Sequence, residues 1–196
     1  LQAVFQMVEQ GDYFTINRPR QYGKTTMLYA MYQYLLTQEA YLPLNISFEG
    51  LGDDVLSSEL LFSRQFLKYV ERFVASDEMH EWLSQQINTV SSLPELSEII
   101  TKMVEKGQKK LVLLIDEVDK SSNNQLFLNF LGVLRNKYLE RDYFPTFHAV
   151  VLAGVHDVRS LKLKLRPEET AKYNSPWNIA ADFKVEMSFR PHEIAP

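Results

Sequence analysis

The chain has 196 residues, 45% hydrophobic and 12% aromatic, with 21 basic against 25 acidic side chains and a formal net charge of -4. That is enough apolar material for one substantial core, so a single α/β domain is the natural expectation. No block of lysine and arginine tracks a phosphate backbone, which leaves no direct nucleic-acid signal, and the absence of cysteine excludes disulfides and thiolate metal sites.

The start, "LQAVFQMVEQGD", lacks a basic n-region and a cleavage signal, and no apolar run reaches bilayer length, so a cytoplasmic setting without membrane contact is expected. The chain opens on Leu1 and ends at "FRPHEIAP", which reads as a piece of a longer protein. The first apolar run, "YFTI" at 13–16, has the length and composition of a strand buried on both faces.

"RPRQYGKTTML" follows at 18–28. A phosphate-binding loop of the form G-x-x-x-x-G-K-[ST] places glycine where backbone must approach phosphate oxygens. It adds a lysine for the outer phosphates and a hydroxyl for magnesium. Gly23, Lys24 and Thr25 match; Arg18 stands where the first glycine belongs, and Pro19 removes a backbone donor. Arg18 or Arg20 could add a guanidinium to a phosphate clamp, or pair with a carboxylate at the surface. Lys24 is expected to be exposed apart from its phosphate role. The tyrosines of the helix after the loop, Tyr29, Tyr32 and Tyr34, read as core or packing surface.

The second run, "PLNISF" at 43–48, is again a strand. Residues 50–110 exceed what a minimal α/β unit needs and read as a helical insertion of two or three helices, with Pro94 suited to a first turn. The third run, "LVLLI" at 111–115, ends in Asp116 and Glu117, with Asp119 two residues on. A carboxylate at the end of a strand beside the loop strand can hold magnesium, and the next glutamate can polarise an attacking water. Gly-Lys-Thr alone arises by chance, and acids bounding a strand are common; in this order each motif supplies the context the other requires.

"NNQLFLNFLGVLRNKYLERD" then sets Phe127, Phe130, Leu131, Leu134 and Tyr138 on one helical stripe, with Ser121, Ser122 or Asn123 available as caps. The fourth strand run, "HAVVLAG" at 148–154, leads into His156 and Asp157, where a residue could sense the outer phosphate, although a lone histidine at a strand end is more often a structural hydrogen-bonder. Arg159 and Arg166 are weaker phosphate candidates. Residues 162–183 form a long loop and the best candidate for a moving element, while Trp177 and Ile179 read as apolar anchors of it. "FKVEMSF" at 183–189 alternates like an edge or outer strand. Strands alternating with helices in this order argue for a doubly wound parallel sheet.

"RPRQYGKTTML", "LVLLIDEVD", "GVHDVRSL" and "NSPWNIAADF" together resemble the AAA-ATPase-like family of bacterial P-loop proteins, within the AAA+/STAND ATPases, over nearly the whole chain. That family carries R-P-R-x-[FY]-G-K-[ST], so the resemblance accounts for Arg18. It implies one P-loop NTPase domain over 1–196, three layers with a parallel sheet flanked by helices, and the "HAVVLAG" strand between the first and third runs. It implies Lys24 and Thr25 in Walker A, Asp116 in Walker B and Glu117 in the catalytic position, with Thr25 and Asp116 on Mg2+. The nucleotide, ATP or ADP, would lie on Arg18, Pro19, Arg20, Gln21, Tyr22, Gly23, Lys24, Thr25 and Thr26, with His156 beside it. Members often carry a nuclease-like domain downstream, and oligomerisation stays open. Slow ATP hydrolysis driving a conformational switch is the expected activity; the rival is a nucleotide-dependent interaction module with little or no turnover.

Overall fold

The computed structural model describes residues 2–19, 21–118, 124–155, 177, 179–181 and 183. Four strands, β1 (Tyr13–Asn17), β2 (Tyr41–Ser47), β3 (Lys110–Asp116) and β4 (Ala149–Gly154), form one sheet in the order β1-β4-β3-β2, every pairing parallel. The fourth strand thus lies between the first and third. Six α-helices accompany them among the described residues: α1 (Gln2–Glu9), α2 (Lys24–Leu36), α3 (Glu59–Glu71), α4 (Asp77–Thr89), α5 (Leu93–Lys106) and α6 (Gln125–Leu139).

Side-chain alternation divides the core into two. On one sheet face Phe14, Val112, Leu114 and Val151 pack against Val4 and Val8 of α1 and Leu28, Met31 and Leu35 of α2. On the other, Leu44, Leu113, Ile115 and Leu152 meet apolar residues of α3 to α6. Since β3 and β4 are covered on both sides, nearly every one of their residues is buried, and they read as continuous apolar runs rather than alternating ones. The result is three layers, helices on either side of a parallel sheet.

The segment between β2 and β3 carries three α-helices, and its first part is broken. A short 3-10 turn at Val55–Ser57 precedes α3, and Ser58 restarts the helix by accepting from the Leu61 N–H. Ser76 and Ser92 cap α4 and α5 in the same way, with Pro94 in the first turn of α5. Such caps contribute roughly 1 kcal/mol each.

The expected helix after β3 is present, with its stripe of Phe127, Phe130, Leu131 and Leu134 fully buried and Tyr138 partly so. Its cap, however, is Asn124, whose Oδ1 accepts from the N–H groups of Leu126 and Phe127 at 2.8 and 3.2 Å. The cap falls after Ser121, Ser122 and Asn123 because the asparagine oxygen next to the first turn reaches two orphan donors at once. The opening helix α1 has only a weak sequence signal, the i, i+4 pair Val4 and Val8, both buried on the sheet. Tyr29 also departs from the packing role expected of it, being 58% exposed, whereas Tyr32 meets Phe73 edge-on and Tyr34 stacks on Phe5.

Trp177 is completely buried against Tyr13, and the Ala181 N–H donates to the Tyr13 carbonyl beside a parallel bridge between Ala181 and Phe14. The anchoring role expected of Trp177 is what its packing shows. The run 183–189 lies outside the described residues apart from Phe183, which stacks on Phe14 with the rings 4° from parallel.

Candidate functional site

All four strands are parallel, so their carboxyl ends share one edge of the sheet. The register sets Asn17 opposite Gly154 and Ser47 opposite Asp116. Ligands of open parallel sheets bind beyond this edge, where strand-to-helix turns offer unpaired backbone N–H groups. The turn between β1 and α2 is such a place.

Gly23 is the N-cap of α2 and takes the left-handed conformation, φ 69°, which costs glycine nothing. It contributes no side-chain cap, and the first turn of the helix holds no acidic residue, so the N–H groups there stay available and the end of the helix is electropositive. Gln21 is left-handed as well, at φ 65°. Arg18, by contrast, is not among the positive-φ residues. The position that departs from the glycine-first pattern therefore has no need of glycine.

Lys24 is only 7% exposed, contrary to the sequence expectation. Its Nζ donates to the carbonyls of Arg18 and Pro19 at 3.0 and 3.1 Å, so the ammonium sits inside the curl of its own loop. The side chain folds back onto these carbonyls, which satisfy two of the ammonium's donors at the sheet edge. Pairing to neutral carbonyls leaves its charge uncompensated by any carboxylate among the described residues.

Thr25 and Asp116 meet across the strand ends. The Thr25 hydroxyl donates to Asp116 Oδ2 at 2.7 Å, and Asp116 Oδ1 accepts from the Glu117 N–H at 2.8 Å. Asp116 is 7% exposed. Glu117 holds a left-handed backbone at φ 55°, uncommon for a residue with a side chain, and the bond to Asp116 Oδ1 fixes that turn. A hydroxyl and a carboxylate converging at this distance form an all-oxygen pair of the kind that hard divalent cations accept alongside water and phosphate.

Arg18 points elsewhere than into this cradle. Its N–H donates to the Gly154 carbonyl at 3.2 Å, its Nη1 to the Asn17 carbonyl at 2.8 Å, and its guanidinium lies 5.6 Å from the centre of the Phe183 ring. The arginine fastens the loop to the end of β4 and to the segment beyond Trp177. Pro19, Gln21, Tyr22 and Thr26 are exposed around the opening. Arg20, Asp119, His156, Asp157, Arg159 and Arg166 lie outside the described residues.

Two neighbours at this edge carry little signal in the sequence. Asn17 ends β1 directly before the loop; its Nδ2 donates to Thr15 Oγ1 while its buried Oδ1 finds no partner among the described residues. Glu49 follows β2 just after Phe48, whose N–H donates to the Asp116 carbonyl. An asparagine closing a strand looks like ordinary turn chemistry, and only the register reveals its position at the edge.

A comparison with curated proteins gives no match to the chain. No helix among the described residues is long and apolar enough to cross a membrane. The AAA-like domain family matches residues 2–188, which makes the coarse function that of a nucleotide-binding, ATPase-like module. With the match running over nearly its whole length, the chain belongs to the AAA-like domain family.

Proposed function

We propose that the chain is a P-loop ATPase module that binds Mg-ATP, hydrolyses it slowly, and uses the cycle as a conformational switch for domains outside this chain. The observation that carries the reading is the Lys24 ammonium, buried at the sheet edge and held among the described residues by loop carbonyls, beside the Thr25–Asp116 contact. A cation prepared in this way is a counter-charge for the outer phosphates, and the N–H groups at the start of α2 add to it. Thr25 and Asp116 would hold magnesium, which when bound neutralises charge on the outer phosphates.

The Glu117 carboxylate orients a water and takes its proton as the terminal phosphate is released, leaving ADP and phosphate. Its neighbour Asp116 is less suited to take that proton, because its two oxygens already accept hydrogen bonds from Thr25 and from the Glu117 backbone. The left-handed turn at Glu117 supports the assignment, since strained backbone concentrates at working sites.

The test compares Mg-ATP binding and phosphate release in the wild type and in Glu117→Gln. Binding should persist while turnover falls by roughly 10² to 10⁴, the range for loss of a general base. Unchanged turnover moves the role to Glu49 or Asp119, and binding with no turnover in the wild type leaves a nucleotide-dependent interaction module.

A further inference from the structure

At the opposite end of the sheet from the phosphate loop, where β2 and β3 begin, the structure has a partly open cleft of about 500 Å³. Its walls come from the edge strand β2, the ends of α3 and α5, and α4. A volume in the range of roughly 300–1,000 Å³ is that of small-molecule sites.

The wall is apolar, with Leu44, Met79, Trp82 and Met103 among its residues. Methionine thioethers adapt to irregular guests, and a half-buried tryptophan offers a flat face. The rim is basic on balance. Lys106 and Lys109 line it, with Lys106 Nζ 5.7 Å from the centre of the Trp82 ring, against one carboxylate, Glu78.

We propose that this cleft binds an apolar organic monoanion, a carboxylate or sulfonate with a hydrocarbon or aromatic body, its body against Trp82 and the methionines and its charge at Lys106 and Lys109. The net single positive charge of the rim matches one negative charge, and the apolar wall leaves a polar phosphorylated body without partners. The site is separate from the phosphate loop by the full length of the strands, so it stands independently of the ATPase reading.

The experiment titrates 8-anilinonaphthalene-1-sulfonate, an apolar aromatic monoanion, into the full chain and follows its emission together with tryptophan quenching. One saturable site is expected, displaced by octanoate and much less by octanol. Lys106 and Lys109 are exposed, so reversing both to glutamate keeps the fold and should weaken the probe on the order of tenfold. Ala75→Trp, at an exposed lining position, should abolish binding by filling the mouth, and it provides a second variant that leaves the core untouched. Absence of saturable binding, binding indifferent to both changes, or equal competition by octanol overturns the proposal.

Discussion

Replacing Lys24 with methionine tests the counter-charge directly. The unbranched thioether keeps the buried stem of the lysine and deletes only the ammonium, so packing around a residue 7% exposed is largely retained. The fold loses two hydrogen bonds, to the carbonyls of Arg18 and Pro19. Both acceptors lie in a loop that water reaches, so the stability cost should stay near ~2 kcal/mol, from about 1 kcal/mol net for each ordinary intramolecular hydrogen bond. Binding should suffer more. A unit charge 4 Å from a phosphate charge at an effective dielectric of 20 interacts by about 4 kcal/mol, and part of that is offset by desolvation. A loss of roughly 3 kcal/mol, or on the order of 100-fold in affinity, is expected. Calorimetric titration with Mg-ATP, alongside urea unfolding of the same sample, measures both quantities. Wild-type affinity in a folded Lys24→Met protein would refute the counter-charge argument.

Two further outcomes follow from groups away from the loop. Asn124→Ala removes the cap that holds the Leu126 and Phe127 N–H groups, and urea unfolding should show a loss of about 1 kcal/mol, with nucleotide affinity unchanged. Burial, with Lys110 nearby, lowers the pKa of His148 below its ordinary value, so between the two values the unfolded chain binds the proton and the folded one does not. Stability from this group is therefore present above about pH 6.5 and is lost as pH falls toward the lowered value; thermal unfolding at pH 7.5 and 5.5 should show a larger drop in the wild type than in His148→Gln.

The strands were legible because each is a short Val-, Ile- and Leu-rich run whose burial on both faces leaves no polar interruption, as in β3 from Leu111 to Ile115. Helices with a strong stripe, such as the one carrying Phe127 and Leu134, were equally plain. Boundaries were less so, because Ser58 and Asn124 act as caps through local geometry that several nearby serines and asparagines could have supplied. At the site, the motif letters single out Lys24, Thr25, Asp116 and Glu117 as candidates, but not their conformations. Nothing in the letters says that Lys24 folds back onto the carbonyls of its own loop, since that follows from where the Arg18 and Pro19 carbonyls are placed. Nor could pattern show that Asn17 lies level with Gly154, a consequence of register between strands far apart in the chain.

Arg18 brings these strands of reasoning to a test. In the glycine-first loop the opening position favours a positive φ, so restoring glycine should help if the present loop is strained there. The left-handed residues are instead Gln21 and Gly23, while Arg18 is held by its N–H on Gly154, its Nη1 on Asn17 and the Phe183 ring. Arg18→Gly therefore relieves nothing. It adds backbone freedom costing roughly 0.5 to 1 kcal/mol, equivalent to about two- to fivefold in affinity if the loop must order to bind, and it removes the guanidinium contacts as well. Gln21→Gly should behave in the opposite sense, because glycine takes φ 65° without the penalty a side chain meets there. Titrating Mg-ATP into both variants separates the two cases: weaker binding for Arg18→Gly with equal or tighter binding for Gln21→Gly is expected. A clear gain in affinity from Arg18→Gly would mean that the arginine distorts the loop, and the claim that the loop is built around it would fail.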